Sequence, residues 1–467
     1  MCNEVKPDIK FGTDGWRGVI SDNFTFANVR IVAQAIADYY NRESKGKKPS
    51  LCVGYDSRFL SQKYGAIVSE VLAANGIDVL FSDKSVPTPT LSFCVQNRGK
   101  TAGVMITASH NPAEYNGIKI KTAAGGAAGT DITKEVEALI AEPCPAGKRA
   151  RGTVTTVDMV GEYVKFLRGY VDIKKLKNAK FRVLVDPMHG SGSNYMKQIL
   201  KDSTIKLEFT RADVNPSFEG LKPEPVIEYL LGTQQRMKKE KFDLGVVLDG
   251  DADRIAAFAG NGEFLNPQKV LGMLILHLVQ DRGMSGGVVK TVVGTNLIDN
   301  ICKKLGLKIY ETGVGFKYIS ELMVTKDIIV GGEEAGGIGF KNYIPERDGS
   351  LAGLLLMEMM VCRKQSILEI LRNMEKEFGR YYYRRGEIKL TAAGGVNLAD
   401  FKGVQKIIGR EVVEVRDGDG MKFILDDTSW LILRASGTEP IIRVYAESKS
   451  QKQTDAMLAF GTKLILK

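Results

Sequence analysis

The chain has 467 residues, 44% of them hydrophobic and 26% charged, with a net charge of +10. That length exceeds one ordinary core and predicts about two to four domains, and the composition is that of a folded globular chain without low-complexity segments. The charge is mild for the size. The densest basic runs, Ser44–Pro49 and Gly147–Gly152, carry no interleaved aromatics, which argues against nucleic-acid binding and fits small anionic ligands.

No apolar run reaches the ~18 residues a membrane span needs. The longest candidates, Val270–Val279 and Leu351–Cys362, read as buried helices. The first residues lack a signal-peptide core, so a cytoplasmic protein is expected. Six cysteines (2, 52, 94, 144, 302 and 362) form no C-x-x-C pair and read as reduced, mostly buried thiols. Three histidines (110, 189 and 277) show no zinc spacing.

In chain order, a helix is expected over Asn28–Glu43, a strand over Leu51–Asp56, a helix over Gly65–Gly76, and strands over Ile77–Ser82 and Gly103–Thr107. Such alternation predicts βα units with mixed or parallel sheets. The pattern pauses at 141–153, rich in Pro, Gly and charge, which places a boundary there and a first α/β domain at 1–150. A second α/β unit, 151–254, runs from the strand opening at Phe181 to Arg254. A third, 255–365, opens on Ile255 and includes strands near 288–293 and 328–331 and a Leu/Met-rich core helix at about 349–362. From 366 a helix over Ser366–Phe378 precedes strand-like runs at Gly386–Leu390, Glu411–Val415, Met421–Leu425, Trp430–Arg434 and Ile441–Glu447. This reads as an α+β domain, 366–467.

Four motifs carry chemistry. "TASHNP" (107–112) follows a hydrophobic strand. Alone it is as well a helix N-cap or an Asn-Pro turn as a reactive serine loop. "DGDADR" (249–254) follows another strand. Asp249, Asp251 and Asp253 alternate there, and carboxylates converging on one point repel unless a cation sits between them, for which hard oxygens suit Mg²⁺. An EF-hand reading fails, because its glycine and glutamate positions hold Arg254 and Gly260. "GGEEAGG" (331–337), followed by "YIPERDG" (343–349), offers Glu333 and Glu334 for sugar hydroxyls in a glycine-rich turn. "RASGTEP" (434–440), with Arg443 beyond it, is a cluster of donors suited to phosphate. No Walker A or G-x-G-x-x-G pattern occurs, so nucleotide binding lacks support. A serine hydroxyl needs activation to act as a nucleophile. His110 is adjacent and Lys119 lies a short loop away, so beside a carboxylate triplet and a phosphate cluster Ser109 is better read as a phosphoryl carrier.

The ordered set "GTDGWRG", "TASHNP", "DGDADR", "GGEEAGG" and "RASGTEP" resembles the α-D-phosphohexomutase family over nearly the whole chain. The resemblance implies four domains around a central cleft, three α/β units with mixed sheets and a C-terminal α+β domain. By it, Ser109 is the phosphoserine, and Ser109, Asp249, Asp251 and Asp253 hold Mg²⁺. Arg17, His110 and Lys119 surround the transferring phosphate, with Lys119 the favoured general acid/base. Arg254, Glu333 and the Ala335 loop contact substrate, and Lys290 with Thr312, Gly313 and Val314 falls where the third domain touches ligand. Arg434, Ser436, Gly437, Thr438 and Arg443 hold the non-reacting phosphate. The implied reaction interconverts hexose 1- and 6-phosphates, of glucose and as a second candidate mannose, through hexose 1,6-bisphosphate as intermediate and activator. A phosphoglucosamine mutase is the near rival; a metal-dependent sugar phosphatase and a non-catalytic sugar-phosphate sensor are the rivals of other classes. The expected partner is a small phosphosugar, with no nucleic acid and no membrane, and a monomer or homodimer. Three positions depart from common family patterns: Ala335 where many members have serine, Gly337 where some have histidine, and Tyr343 where relatives often have histidine. A lost donor weakens selection between epimers, so the departures bear on the preferred sugar.

Overall fold

The computed structural model describes residues 9–12, 14–141, 150–193, 195–390, 396–435 and 441–466. Its strands form four sheets. The first comprises β1 (Trp16–Val19), β2 (Ser50–Tyr55), β3 (Asp78–Ser82), β4 (Ala102–Ile106), β5 (Tyr115–Thr122) and β6 (Val154–Val157), in the order β1-β5-β4-β2-β3-β6. Strands β4, β2, β3 and β6 run parallel; β5 returns antiparallel to β4, and β1 pairs antiparallel with β5. The centre is apolar on both faces: every residue of β4 is buried, as a sheet covered by helices on both sides requires.

The second sheet comprises β7 (Arg182–Asp186), β8 (Lys206–Phe209), β9 (Leu244–Leu248), β10 (Ile255–Ala259) and β11 (Phe264–Leu265), in the order β11-β10-β9-β7-β8. The third has β12 (Gly287–Thr291), β13 (Ile309–Thr312), β14 (Ile328–Gly332) and β15 (Ile338–Phe340), ordered β13-β12-β14-β15. The fourth is antiparallel throughout: β16 (Tyr382–Lys389), β17 (Lys406–Ile407), β18 (Arg410–Arg416), β19 (Met421–Leu425), β20 (Trp430–Ala435) and β21 (Ile441–Ser448), ordered β16-β21-β20-β19-β18-β17.

Sheet membership corrects all three expected boundaries. The one after residue 150 precedes β6, which closes the first sheet against β3 through Val79↔Val154. The one after Arg254 cuts the second sheet, because Ile255–Ala259 folds straight back on β9, with Ile255 opposite Leu248. The polar aspartate loop is a hairpin connection, not a linker. The one at 366 detaches the helix Ile367–Phe378 from its core: its apolar stripe Ile367, Ile370, Leu371, Met374 and Phe378 packs with the helices Pro267–Leu276 and Gly349–Arg363. The fourth unit therefore starts near β16.

One continuous apolar core runs through the second and third sheets and the flank of the first, from Cys52 and Met105 through Val185 and Leu248 to Val288 and Leu355. The fourth sheet has its own core and meets the third through Val293, Trp430, Ile432 and Tyr445. Four cysteines, Cys52, Cys94, Cys302 and Cys362, are free thiols. Among the described residues no helix is long and apolar enough to cross a membrane.

Candidate active site

The carboxyl ends of β4, β9 and β14 deliver Ser109, the aspartate loop and Glu333, the place where open α/β sheets gather ligands. Ser109 lies three residues past β4, fully buried, with its backbone in the left-handed region at φ 51°. A non-glycine residue holds that conformation only where its surroundings over-determine it. Here Arg58 does so. Its guanidinium donates to the carbonyls of Ser109 (2.6 Å), Asn111 (2.5 Å), Pro112 (2.7 Å) and Tyr115 (3.0 Å), and stands 3.3 Å from Asp56. Arg17 reaches the same loop through Asn111 Oδ1 at 2.5 Å.

The Ser109 hydroxyl donates to Asp249 Oδ2 at 3.0 Å and lies 3.4 Å from His110 Nδ1. The serine and aspartate loops touch backbone to backbone: a Cβ on Gly250 would lie 2.5 Å from the Ser109 carbonyl, so glycine is required. Asp249, Asp251 and Asp253 are fully buried and each offers an oxygen within 4.8 Å of the others. Burial first, then Asp253 and Asp251, pushes the Asp249 carboxyl well above its usual range.

Lys119 supplies the balancing charge. The antiparallel register sets it opposite Met105 on β4. Its Nζ contacts Asp14 (2.8 Å), Asp251 (2.8 Å) and Asp253 (3.0 Å). Burial opposes its charge, but Asp14, Asp251 and Asp253 outweigh it and hold the ammonium above its ordinary value. The Asp251 carboxyl is held below its usual range: burial pushes it up, and Lys119 and the Thr88 hydroxyl, 2.5 Å away, pull it down further. Oδ1 of Asp251 and Oδ1 of Asp253 are buried without a hydrogen-bond partner among the described residues. Two free, hard oxygens beside a carboxylate that cannot comfortably ionise fit a divalent cation. His110 is held well below its ordinary value by burial, then by Arg254 and Arg17, so its imidazole is neutral.

Glu333 belongs to this cluster. The glycine-rich turn after Glu333 is stitched to the strand after the aspartates by an Arg254↔Gly337 bridge and by the Ile255 N–H on the Gly336 carbonyl at 3.0 Å. Burial pushes the Glu333 carboxyl up to about 7, against the pull of Arg347. Arg347 crosses the middle of the site, on Asp14 (2.6 Å), Asp253 (2.6 Å) and Glu333 (3.3 Å). It occupies the space that a side chain at 337 would need: a Cβ on Gly337 would lie 2.2 Å from Arg347 Cδ. The Gly337 departure thus has a steric reason. Ala335 is half-buried on the same turn and presents only a methyl group. Tyr343 points elsewhere: its hydroxyl donates to Asp348 at 2.9 Å and its ring stacks on Phe166.

A second cluster forms where the third and fourth sheets meet. Arg434 and Arg443 stand directly opposite on β20 and β21, a like-charged pair that an anion relieves. Arg434 Nε donates to Asp419 at 2.8 Å, and Arg443 Nε to Glu387 at 3.1 Å. Asp419 also accepts the Val314 N–H at 2.6 Å, which brings Thr312, Gly313 and Val314 to this cluster. Lys290 is buried and paired with Asp299 and Glu311 (3.8 Å), apart from the serine cluster. Ser436, Gly437 and Thr438 lie outside the described residues. Sequence reasoning passed over Asp14, Arg58, Thr88, Arg347 and Asp419. Asp14 and Arg347 sit inside quoted motifs, and Arg58 follows a strand end as the serine does; nothing local marks Thr88 or Asp419.

A buried serine, an acidic triad and an opposed arginine pair suit a sugar-phosphate phosphotransferase of the mutase type, and the comparisons agree. Profiles of the phosphoglucomutase/phosphomannomutase alpha/beta/alpha domains I, II and III match residues 8–144, 161–262 and 266–378, and that of the C-terminal domain matches 387–460. The chain is 30% identical to a phosphoglucomutase/phosphomannomutase of Thermococcus kodakarensis over 97% of this chain and 98% of that one. It is 29% identical to a phosphoglucosamine/phosphogalactosamine mutase of Sulfurisphaera tokodaii, covering 94% and 95%. A solved structure from Thermus thermophilus, designated a phosphomannomutase, superposes with a TM-score of 0.88 at 33% identity, over 99% of this chain and 100% of that one. The chain belongs to the phosphoglucomutase/phosphomannomutase family of isomerases.

Proposed function

We propose that the protein interconverts hexose 1-phosphate and hexose 6-phosphate, of glucose and as a second candidate mannose, through phospho-Ser109. The observation that carries this reading is the Ser109 hydroxyl, buried on a loop clamped by Arg58 and bonded to Asp249 in the acidic triad. Asp249, Asp251 and Asp253, with the Ser109 phosphate, would hold Mg²⁺, which neutralises charge on the phosphoryl oxygens.

The serine Oγ–P bond breaks as a bond forms from phosphorus to the 6-hydroxyl oxygen of a hexose 1-phosphate. The hydroxyl proton passes to a base of the site and the Ser109 oxygen ends protonated. Neutral His110, 3.4 Å from Oγ, is assigned the uptake of this proton, and Lys119, held as an ammonium by Asp14, Asp251 and Asp253, its donation. The hexose 1,6-bisphosphate turns over in the cleft, and its 1-phosphoryl group returns to Ser109. Glu333 orients sugar hydroxyls, and Arg434 with Arg443 grips the distal phosphate. The chemistry asks mainly for positioning and charge neutralisation.

The test is peptide mass spectrometry for phosphate on Ser109, with Ser109→Ala assayed on glucose 1-phosphate, mannose 1-phosphate and glucosamine 1-phosphate. Phosphate on Ser109 and loss of nearly all turnover in the variant are expected. A fully active Ser109→Ala enzyme would sink the mechanism; turnover of the amino sugar alone would move the protein to the phosphoglucosamine branch; net release of phosphate would make it a phosphatase.

A further inference from the structure

The fourth sheet carries the Arg434–Arg443 pair, and what aims that pair lies in the turn before β19. Asp419 is bonded in two directions. Oδ1 accepts from Arg434 Nε at 2.8 Å within its own sheet, and Oδ2 accepts the Val314 N–H at 2.6 Å across the seam to the third sheet. Three residues on, Lys422 Nζ donates to the Val292 carbonyl at 2.6 Å and lies 3.8 Å from Glu311. Val292 in turn donates its N–H to Thr312 at 2.8 Å. The turn therefore holds the third sheet at two points of opposite polarity, carboxylate on N–H and ammonium on carbonyl. Misdocking the fourth sheet strands a partly buried charge at either point.

The other contacts across this seam differ in kind. Trp430, Ile432 and Tyr445 pack on Val293, and Glu447 accepts the Asn296 N–H at 2.8 Å. Val314 also packs against that apolar cluster, but among the described residues none of these groups hydrogen-bonds the Arg434 guanidinium or the Val314 N–H. Asp419 joins both. The guanidinium of Arg434 faces that of Arg443 and, unheld, swings away from it. A carboxylate on Nε fixes the plane and leaves the two terminal nitrogens for a bidentate phosphate.

We propose that Asp419 is a positioning residue that couples docking of the fourth sheet on the third to the aim of Arg434, so that the distal phosphate is gripped while the Val314 bond is made and the bisphosphate is kept from escaping during its turn. This rests on the phosphohexomutase reading above.

The test uses the full chain and three variants, with two readouts. The first is hydrogen exchange of the Val314 amide, which does not depend on activity. The second is escape of bisphosphate, read as label lost from enzyme turning over glucose 1-phosphate in the presence of labelled glucose 1,6-bisphosphate. Asp419→Ala is expected to speed exchange at Val314 and raise escape per turnover about ten-fold, as loss of a charge-assisted bond implies. Asp419→Asn keeps an acceptor for Val314 but loses the charge toward Arg434, so amide protection should recover while escape stays high. Lys422→Met should speed exchange while leaving Arg434 held, with a smaller rise in escape. Asp419→Asn guards against an alanine variant that fails to fold. Unchanged Val314 exchange in Asp419→Ala, or wild-type escape in both Asp419 variants, overturns the proposal while leaving the mutase reading intact. A wild-type enzyme with no turnover overturns the mutase reading and the proposal together.

Discussion

Replacing Gly337 by alanine probes how the charge network at the centre of the site is packed. The new Cβ would lie 2.2 Å from Cδ and 2.9 Å from Cγ of Arg347, and 2.9 Å from Oε2 of Glu333. Arg347 has little freedom to yield, because its far end is ion-paired to Asp14 and Asp253 at 2.6 Å each and it is 3% exposed. Moving the stem by more than half an ångström costs about 1–3 kcal/mol as overpacking. Releasing a buried carboxylate from its guanidinium costs about 3–5 kcal/mol. The cheaper response wins, so a loss of about 2–3 kcal/mol in stability is expected. Because Arg347 ties Asp253 of the acidic triad to Glu333, kcat/KM should fall about a hundred-fold, the equivalent of ~2.7 kcal/mol. Differential scanning fluorimetry and a coupled mutase assay read both effects. Arg347→Ala supplies the control. Once that side chain is gone, adding Gly337→Ala should change stability by less than ~0.5 kcal/mol, a strong departure from additivity. A Gly337→Ala enzyme with wild-type melting and turnover, or strictly additive losses in the double variant, would refute the steric account.

Lys119→Met leaves the buried Asp251 and Asp253 and the half-buried Asp14 without their shared ammonium; a loss of about 3–5 kcal/mol is expected in chelator, partly restored by Mg²⁺, and equal melting of variant and wild type in chelator would contradict it. Arg58→Lys cannot span four carbonyls with one ammonium, so kcat should drop about a hundred-fold with KM little changed; an unchanged kcat would show that the serine loop holds itself. The Glu447 carboxyl is pushed up by burial to about 7, against an ordinary 4.5. A carboxyl raised on folding contributes stability that is complete below the ordinary value and lost as pH rises through about 7, here at most ~3 kcal/mol. Glu447→Gln should therefore flatten the stability profile between pH 5 and pH 8, and parallel profiles for the two proteins would rule this linkage out.

The family, the four-part α/β and α+β architecture and the serine, aspartate and glutamate loops were legible in five short motifs. The reason is local: strands such as Ala102–Ile106 and Leu244–Leu248 are apolar at every position, so a polar elbow at their carboxyl end stands out, and its chemistry is written in consecutive residues. The unit boundaries were misplaced for the opposite reason. A polar run looks like a linker whether it joins domains or, as at 249–254, turns a hairpin whose return strand pairs with the strand before it. Tertiary structure alone decided what compensates the buried charge. Asp14, Lys119, Asp253 and Arg347 come from separate stretches of chain and meet only because the β4–β5 register and the Arg254↔Gly337 bridge carry them to one point. It also decided that Gly337 leaves room for Arg347, that Tyr343 belongs to the packing around Phe166, and that Asp419 spans two sheets. Periodicity and motif are properties of neighbours along the chain; ion pairs and steric exclusion in a cleft between sheets are properties of neighbours in space.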